Sequence, residues 1–180
     1  MQQPKLVADV INSKPAVLFD GDDDMLARVD VAGDALLSSD SVSIYAVVRQ
    51  KQQSAANTVL AWEATNYKNH LALLTSYHDQ FLIDHGHATE EGRVSAAQPE
   101  GWDDTWHVLE FVRNGSQAVV MVDSEEVEMG EFGDVLEVDT AGMLLVGALS
   151  ELAFGGEIAE VLIYNRALSE PERGAVRGYL

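Results

Sequence analysis

Cysteine is absent from the 180 residues, which excludes disulfides, thiolate metal sites and a cysteine nucleophile. Proline is scarce, with four residues, and no proline-rich linker divides the chain. Basic side chains are few as well: eleven Lys and Arg stand against thirty Asp and Glu, a net charge of −19. From Asn114 to Asn165 there is no Lys or Arg at all. Within that stretch lie the carboxylates of Asp123, Glu125, Glu126, Glu128, Glu131, Asp134, Glu137 and Asp139. A surface of this sign repels phosphate backbones and anionic lipid, so nucleic acid and membrane insertion are not expected. No apolar run approaches the roughly 18 residues of a membrane-spanning helix. The opening residues Met1 to Lys5 offer no basic segment followed by an apolar one, as a secretion leader requires. Either the domain belongs to a longer exported protein, or it is made without a leader, as virion proteins are.

What is present suits one folded domain spanning residues 1–180. The apolar set makes up 47% of the chain, enough for a sizeable core, and 23% charged residues is not a disordered composition. The apolar residues fall in short runs between turn residues, the pattern of an all-β protein. Ala16–Phe19 stops at the turn pair Asp20-Gly21. Ser41–Arg49 alternates, with Val42, Ile44, Ala46 and Val48 on one face and Ser43, Tyr45 and Val47 on the other. Further strands are expected at Thr58–Trp62, Leu71–Thr75, Phe81–Ile83, Met143–Val146 and Glu157–Tyr164. In the last, alternation puts Ile158, Glu160, Leu162 and Tyr164 on one face. Trp106–Val112 and Gln117–Val122 form a hairpin closed by Asn114-Gly115, which supplies positive φ. The tripeptide Asn114-Gly115-Ser116 is read as turn chemistry rather than as a glycosylation acceptor. Ser169-Glu170-Pro171-Glu172 is a helix start of the capping-box kind, with Val176, Tyr179 and Leu180 as the helix's apolar side. Ala88 to Asp104 and Gln50 to Asn57 read as polar loops. Trp62, Phe81 and Trp106 are expected inside.

The closing segment Phe154-Gly155-Gly156-Glu157 through Tyr164-Asn165-Arg166-Ala167-Leu168-Ser169, with the short helix ending at Leu180, resembles that of laminin G-like domains. These belong to the concanavalin A-like lectin/glucanase superfamily. Val17–Gly21 resembles the family's opening strand and turn, and Ser43–Arg49 its first long strand. Trp106-His107-Val108 through Val122-Asp123 resembles its Trp-His strand and following hairpin, with Ser124 where a glycine usually stands. The resemblance implies a two-sheet antiparallel jelly-roll sandwich with one short C-terminal helix. It also implies a non-catalytic module for glycan binding or adhesion, with calcium in some members. Ala159 replaces an Asp that many relatives carry there, which removes one candidate calcium ligand from that strand.

Candidate chemistry follows from side-chain type. Glycosidases of that superfamily carry Glu-x-Asp-x-Glu or a near variant on one strand face, where the carboxylates act as nucleophile and acid. The nearest match, Glu137-Val138-Asp139, has no third carboxylate, and no Gly-x-Ser-x-Gly elbow occurs, so the chain is read as no enzyme. Asp20, Asp22 and Asp24 cluster hard oxygen ligands in a turn, which makes Ca²⁺ the one cofactor considered, though none is required. His70, His78, His85 and His87 are read as surface histidines, although His85-Gly86-His87 sets two rings on one side of an extended segment. Sugar binding needs exposed aromatic faces beside planar polar groups. Tyr67, His70, Tyr77 and His78, at expected loops and strand ends, are the ligand-binding candidates. The leading expectation is a lectin-like module for a glycan or surface-exposed protein, located extracellularly, at a cell surface or on a virion. The rivals are a structural or decoration protein within a larger homo- or hetero-oligomeric assembly and, more remotely, a glycan-cleaving enzyme.

Overall fold

The computed structural model describes residues 3–32, 40–51, 56–63, 70–78, 80–86, 92–133 and 141–180. Its strands are β1 (Lys5–Ile11), β2 (Lys14–Asp20), β3 (Leu26–Ala32), β4 (Ser41–Gln50), β5 (Ala56–Glu63), β6 (His70–Tyr77), β7 (Gln80–Gly86) and β8 (Arg93–Ala97). They continue as β9 (His107–Asn114), β10 (Gln117–Val122), β11 (Glu125–Glu131), β12 (Ala141–Val146), β13 (Ala148–Leu149), β14 (Leu152–Ala153) and β15 (Gly155–Tyr164). A helix, α1 (Glu170–Tyr179), follows. A seven-stranded sheet runs β1-β2-β15-β4-β9-β10-β11 and a six-stranded sheet runs β3-β12-β5-β6-β7-β8. β13 and β14 form a small separate hairpin.

The two sheets stack because each strand offers one apolar face. β4 gives Val42, Ile44, Ala46 and Val48 to the core, facing Leu60, Trp62, Leu71, Leu73, Phe81 and Ile83 of the six-stranded sheet. Along one flank the sheets meet closely. A Cβ on Gly130 of β11 would lie 2.3 Å from Val94 Cγ2 of β8, so only glycine permits that approach. The jelly-roll sandwich with a terminal helix expected from the sequence is therefore the fold.

Several local expectations change. Arg93–Ala97, within the supposed loop 88–104, is a strand: Val94 and Ala96 are buried, while Ser95 and Ala97 are exposed. β15 carries a bulge between Ile158 and Glu160. The bulge reverses the alternation, so Ile158, Val161 and Ile163 meet the core and the other face receives Glu160, Leu162 and Tyr164. In the β9–β10 hairpin Asn114 pairs with Gln117, which makes Gly115 and Ser116 the two connecting residues. Gly115 has φ +66 and Ser116 is not left-handed, as in a turn with glycine first. Trp62 and Phe81 are buried as expected, whereas Trp106 is only partly covered, with the Arg49 guanidinium 5.1 Å from its ring centroid. Trp102 lies in the core, stacked on His107.

The helix contains no buried residue, and Tyr179 is exposed. Charge holds it in place, while Val176 and Leu180 of the expected apolar side are only half-buried. Arg173 ion-pairs with the buried Glu110 of β9, and Arg177 lies 3.7 Å from the same carboxylate. Buried Tyr45 lies beside this network, and its hydroxyl pKa is pushed up to about 12 by burial and by the Glu110 charge.

Candidate functional site

The outer face of the six-stranded sheet carries its own chemistry. Strand alternation puts Ala61, Ala72, Leu74 and Leu82 on the side away from the main core. With Ala56, Leu145 and Leu149 they form a second apolar cluster, against which Met25, Tyr77 and Leu152 pack. The β13–β14 hairpin supplies Leu149 and Leu152 and borders this cluster on one side, and the core residues of the cluster are all buried.

On the other side stands a polar and aromatic group. Asp84 of β7 and Arg93 of β8 are register partners. Arg93 donates from Nε to Asp84 Oδ1 at 2.6 Å and from Nη2 to Oδ2 at 2.8 Å, a two-pronged pair. Asp84 is only 2% exposed. The bond from Asp84 raises the Arg93 pKa further, so the guanidinium stays charged. The same guanidinium lies 5.7 Å from the centroid of the Tyr77 ring. Tyr77 in turn meets the His78 ring edge-on, with centroids 4.5 Å apart. His78 sits in the β6–β7 turn at φ +52, and exposed Gln80 pairs with Tyr77 across it. The arrangement fixes a tyrosine face, an exposed imidazole and a clamped guanidinium along one rim. Both oxygens of Asp84 lie in the fork of Arg93.

Of the four ligand candidates, the structure joins Tyr77 and His78. His70 opens β6 at the opposite end, seven residues away and so roughly 20 Å distant along an extended strand; its side chain lies outside the described atoms. Tyr67 and His87 lie outside the described residues. His85 departs from the surface reading. It is fully buried between Phe111 and Phe132, with Arg113 Nη1 2.9 Å from its Nδ1. Burial first, then the Arg113 charge, pushes its pKa down to about 3, so the ring is neutral. Arg93 was missed as a site residue. The only trace in the sequence was the short alternation of Val94 and Ala96 after Arg93.

The aspartate turn also rearranges. Carboxylates of Asp20, Asp23 and Asp24 lie within 4.8 Å of one another, and Asp22 is not in the group. The Asp22 amide donates to Asp20 Oδ1 at 2.9 Å, and this bond is the main reason the Asp20 pKa is lowered. Asp24 Oδ2 accepts from the Asp20 amide at 3.1 Å. Three carboxylates suit a hard cation, and carbonyls or waters would have to complete the six to eight ligands of Ca²⁺. Glu137 and Asp139 lie outside the described residues.

A family model for laminin G-like domains, described as concanavalin A-like lectin/glucanases superfamily, matches residues 22–172. No curated protein matches the chain. Among solved structures, domain 4 of the GH43 extracellular arabinanase AbnA from Geobacillus stearothermophilus, in complex with arabinotriose, is similar. The TM-score is 0.74 and the identity 17%, over 98% of this chain and 82% of that one. Domains LG4-5 of the mouse laminin alpha1 chain align at TM-score 0.62 and 19% identity, over 86% of this chain and 44% of that one. The binding domain of botulinum neurotoxin serotype D aligns at TM-score 0.70 and 12% identity, over 97% and 44%. At these identities the likeness is one of fold. Among the described residues no helix is long and apolar enough to cross a membrane.

Proposed function

Because the chain belongs to the laminin G-like family of the concanavalin A-like lectin/glucanases superfamily, we propose that it is a non-catalytic module that binds a glycan outside the cell. The observation that carries this reading is the rim of Tyr77, exposed His78 and Arg93 at one edge of the six-stranded sheet. Tyrosine presents a flat amphipathic face at little entropic cost, because it has two rotatable side-chain bonds. The Asp84 pair holds the guanidinium in place before any ligand arrives, which lowers the cost of ordering on binding.

Support comes from the kind of neighbour as well. The arabinanase domain of similar fold was solved with arabinotriose, which makes arabino-oligosaccharides the first probes. Ca²⁺ at Asp20, Asp23 and Asp24 would hold the turn after β2 and is a separate element of the proposal.

A glycan array run with and without Ca²⁺, followed by calorimetry on the hits, tests the reading. Binding that falls at least tenfold in Tyr77→Ala, measured at a temperature where the variant stays folded, is expected. An array without hits, or equal affinity of Tyr77→Ala and the parent, would sink it. Release of reducing sugar from a bound polysaccharide would overturn the non-catalytic part.

A further inference from the structure

The opposite side of the molecule holds a second surface with different chemistry. On the outer face of the seven-stranded sheet, beside the start of α1, lies a groove of about 250 Å³. Val112, Val119, Met129, Ala167 and Leu168 line it, with Arg173 at one wall. Its volume is below the usual range for small-molecule sites and suits a single large side chain. Met129, 66% exposed, forms the open wall and pairs with Val119 across the β10–β11 ladder. Register puts Glu126 opposite Met121 and Glu131 opposite Gln117, which places both carboxylates on the face that carries Met129. Glu125 and Glu128 on the same strand are exposed too.

The arginines beside this groove are all paired with carboxylates: Arg177 with Glu170, and Arg166, next to Ala167, with Glu172. Arg173, the cation at its wall, is engaged by Glu110 and by Glu170 at 3.2 Å. Beyond it, no Lys or Arg occurs from Asn114 to Asn165. A second copy of this chain, at −19, would bring its own carboxylates against the strip and be repelled, as would a nucleic acid or an anionic membrane. The occupant that satisfies both features carries positive charge around one apolar side chain.

We infer that this groove docks a lysine- or arginine-rich segment of a partner protein, which inserts one large apolar side chain between Val119, Met129 and Leu168 while Glu126 and Glu131 flank it. The apolar anchor supplies affinity and the acidic rim supplies rate and orientation. The surface is independent of the glycan site, since it lies on the other sheet.

The test uses fluorescence anisotropy with the full chain and a twelve-residue Lys/Ser peptide bearing a central phenylalanine. The same peptide with a central alanine is the comparison. At least fivefold tighter binding of the phenylalanine peptide is expected, weakening steeply as salt is raised. Met129→Glu should abolish the difference between the peptides. The double variant Glu126→Lys, Glu131→Lys should weaken both tenfold or more. All three substituted side chains are exposed, so unfolding curves should match the parent. No binding, equal binding of the two peptides, or indifference to Met129→Glu would overturn the inference and leave only diffuse attraction to an acidic surface. Glycan binding is expected unchanged in these variants, which separates this failure from failure of the lectin reading.

Discussion

The two outer faces of the sandwich solve the same electrostatic problem in opposite ways. Each carries a carboxylate only 2% exposed, Glu110 on the seven-stranded sheet and Asp84 on the six-stranded one. Each carboxylate is matched by arginine. On the seven-stranded sheet the arginines come from α1, which covers Glu110 and Tyr45. On the six-stranded sheet the arginine comes from the neighbouring strand, and its guanidinium sits beside Tyr77 and exposed His78. A buried carboxylate–arginine pair thus fastens α1 to one sheet and joins neighbouring strands on the other.

Between the two faces sits His85, which sets the background for any test of either. Its pKa is near 3 in the folded chain and about 6.5 when unfolded. The unfolded chain therefore binds one more proton between those values. The stability from keeping His85 neutral is complete above about pH 6.5 and is lost as pH falls toward 3, on the order of 1 kcal/mol for each pH unit. This is the largest effect expected. Urea unfolding from pH 7 to 4 should show the slope, and His85→Gln, which keeps an acceptor for Arg113, should flatten it. Comparisons of the two faces belong above pH 7.

Next in size is the fastening itself. Arg173→Met leaves Glu110 buried with only the more distant Arg177, and it should cost about 3 kcal/mol. For a chain of this length that is about 10 °C in thermal midpoint. Glycan affinity should stay as it was, because the helix covers the other sheet. If Arg173→Met instead abolished sugar binding with little loss of stability, the roles assigned to the two faces would be reversed.

The smallest effect concerns the β10–β11 turn, where Asp123 and Ser124 have φ of +51 and +71. Both central residues are left-handed, a conformation that costs a side chain about 1 kcal/mol and glycine little. Ser124→Gly should therefore raise stability by about 0.5–1 kcal/mol in urea unfolding. It should leave Asp123 accepting from the Val108 amide at 2.9 Å.

The same turn shows how much of the fold was legible in the sequence. The resemblance to laminin G-like domains already marked Ser124 as a position where glycine is usual, and the left-handed backbone gives the physical reason. Central strands such as β4, β5 and β9 were readable because both neighbours and the core constrain them, so their apolar residues fall at fixed intervals. β1, β3, β8 and β11 were not read as strands. All four are sheet edges, and β1 and β11 are largely exposed along their length. The faces of β15 were misassigned because one bulge residue, Ala159, shifts the period and nothing in composition announces it. Tyr77 and His78 were legible as neighbours in sequence. The pairing of Asp84 with Arg93 was not, since they stand nine positions apart and only the β7–β8 register brings them together. His85 looked like its surface neighbours because burial is decided by the opposite sheet.

The most direct test of the account is a chemical-shift map of the ¹⁵N-labelled chain, titrated with the best ligand from the glycan array at pH 7.5. Arabinotriose is the first to try. The account predicts that the largest shifts fall on Tyr77, His78, Gln80 and Arg93, while α1 and β11 stay fixed. Shifts centred on α1 or on the groove at Met129, with the Tyr77 rim silent, would contradict it.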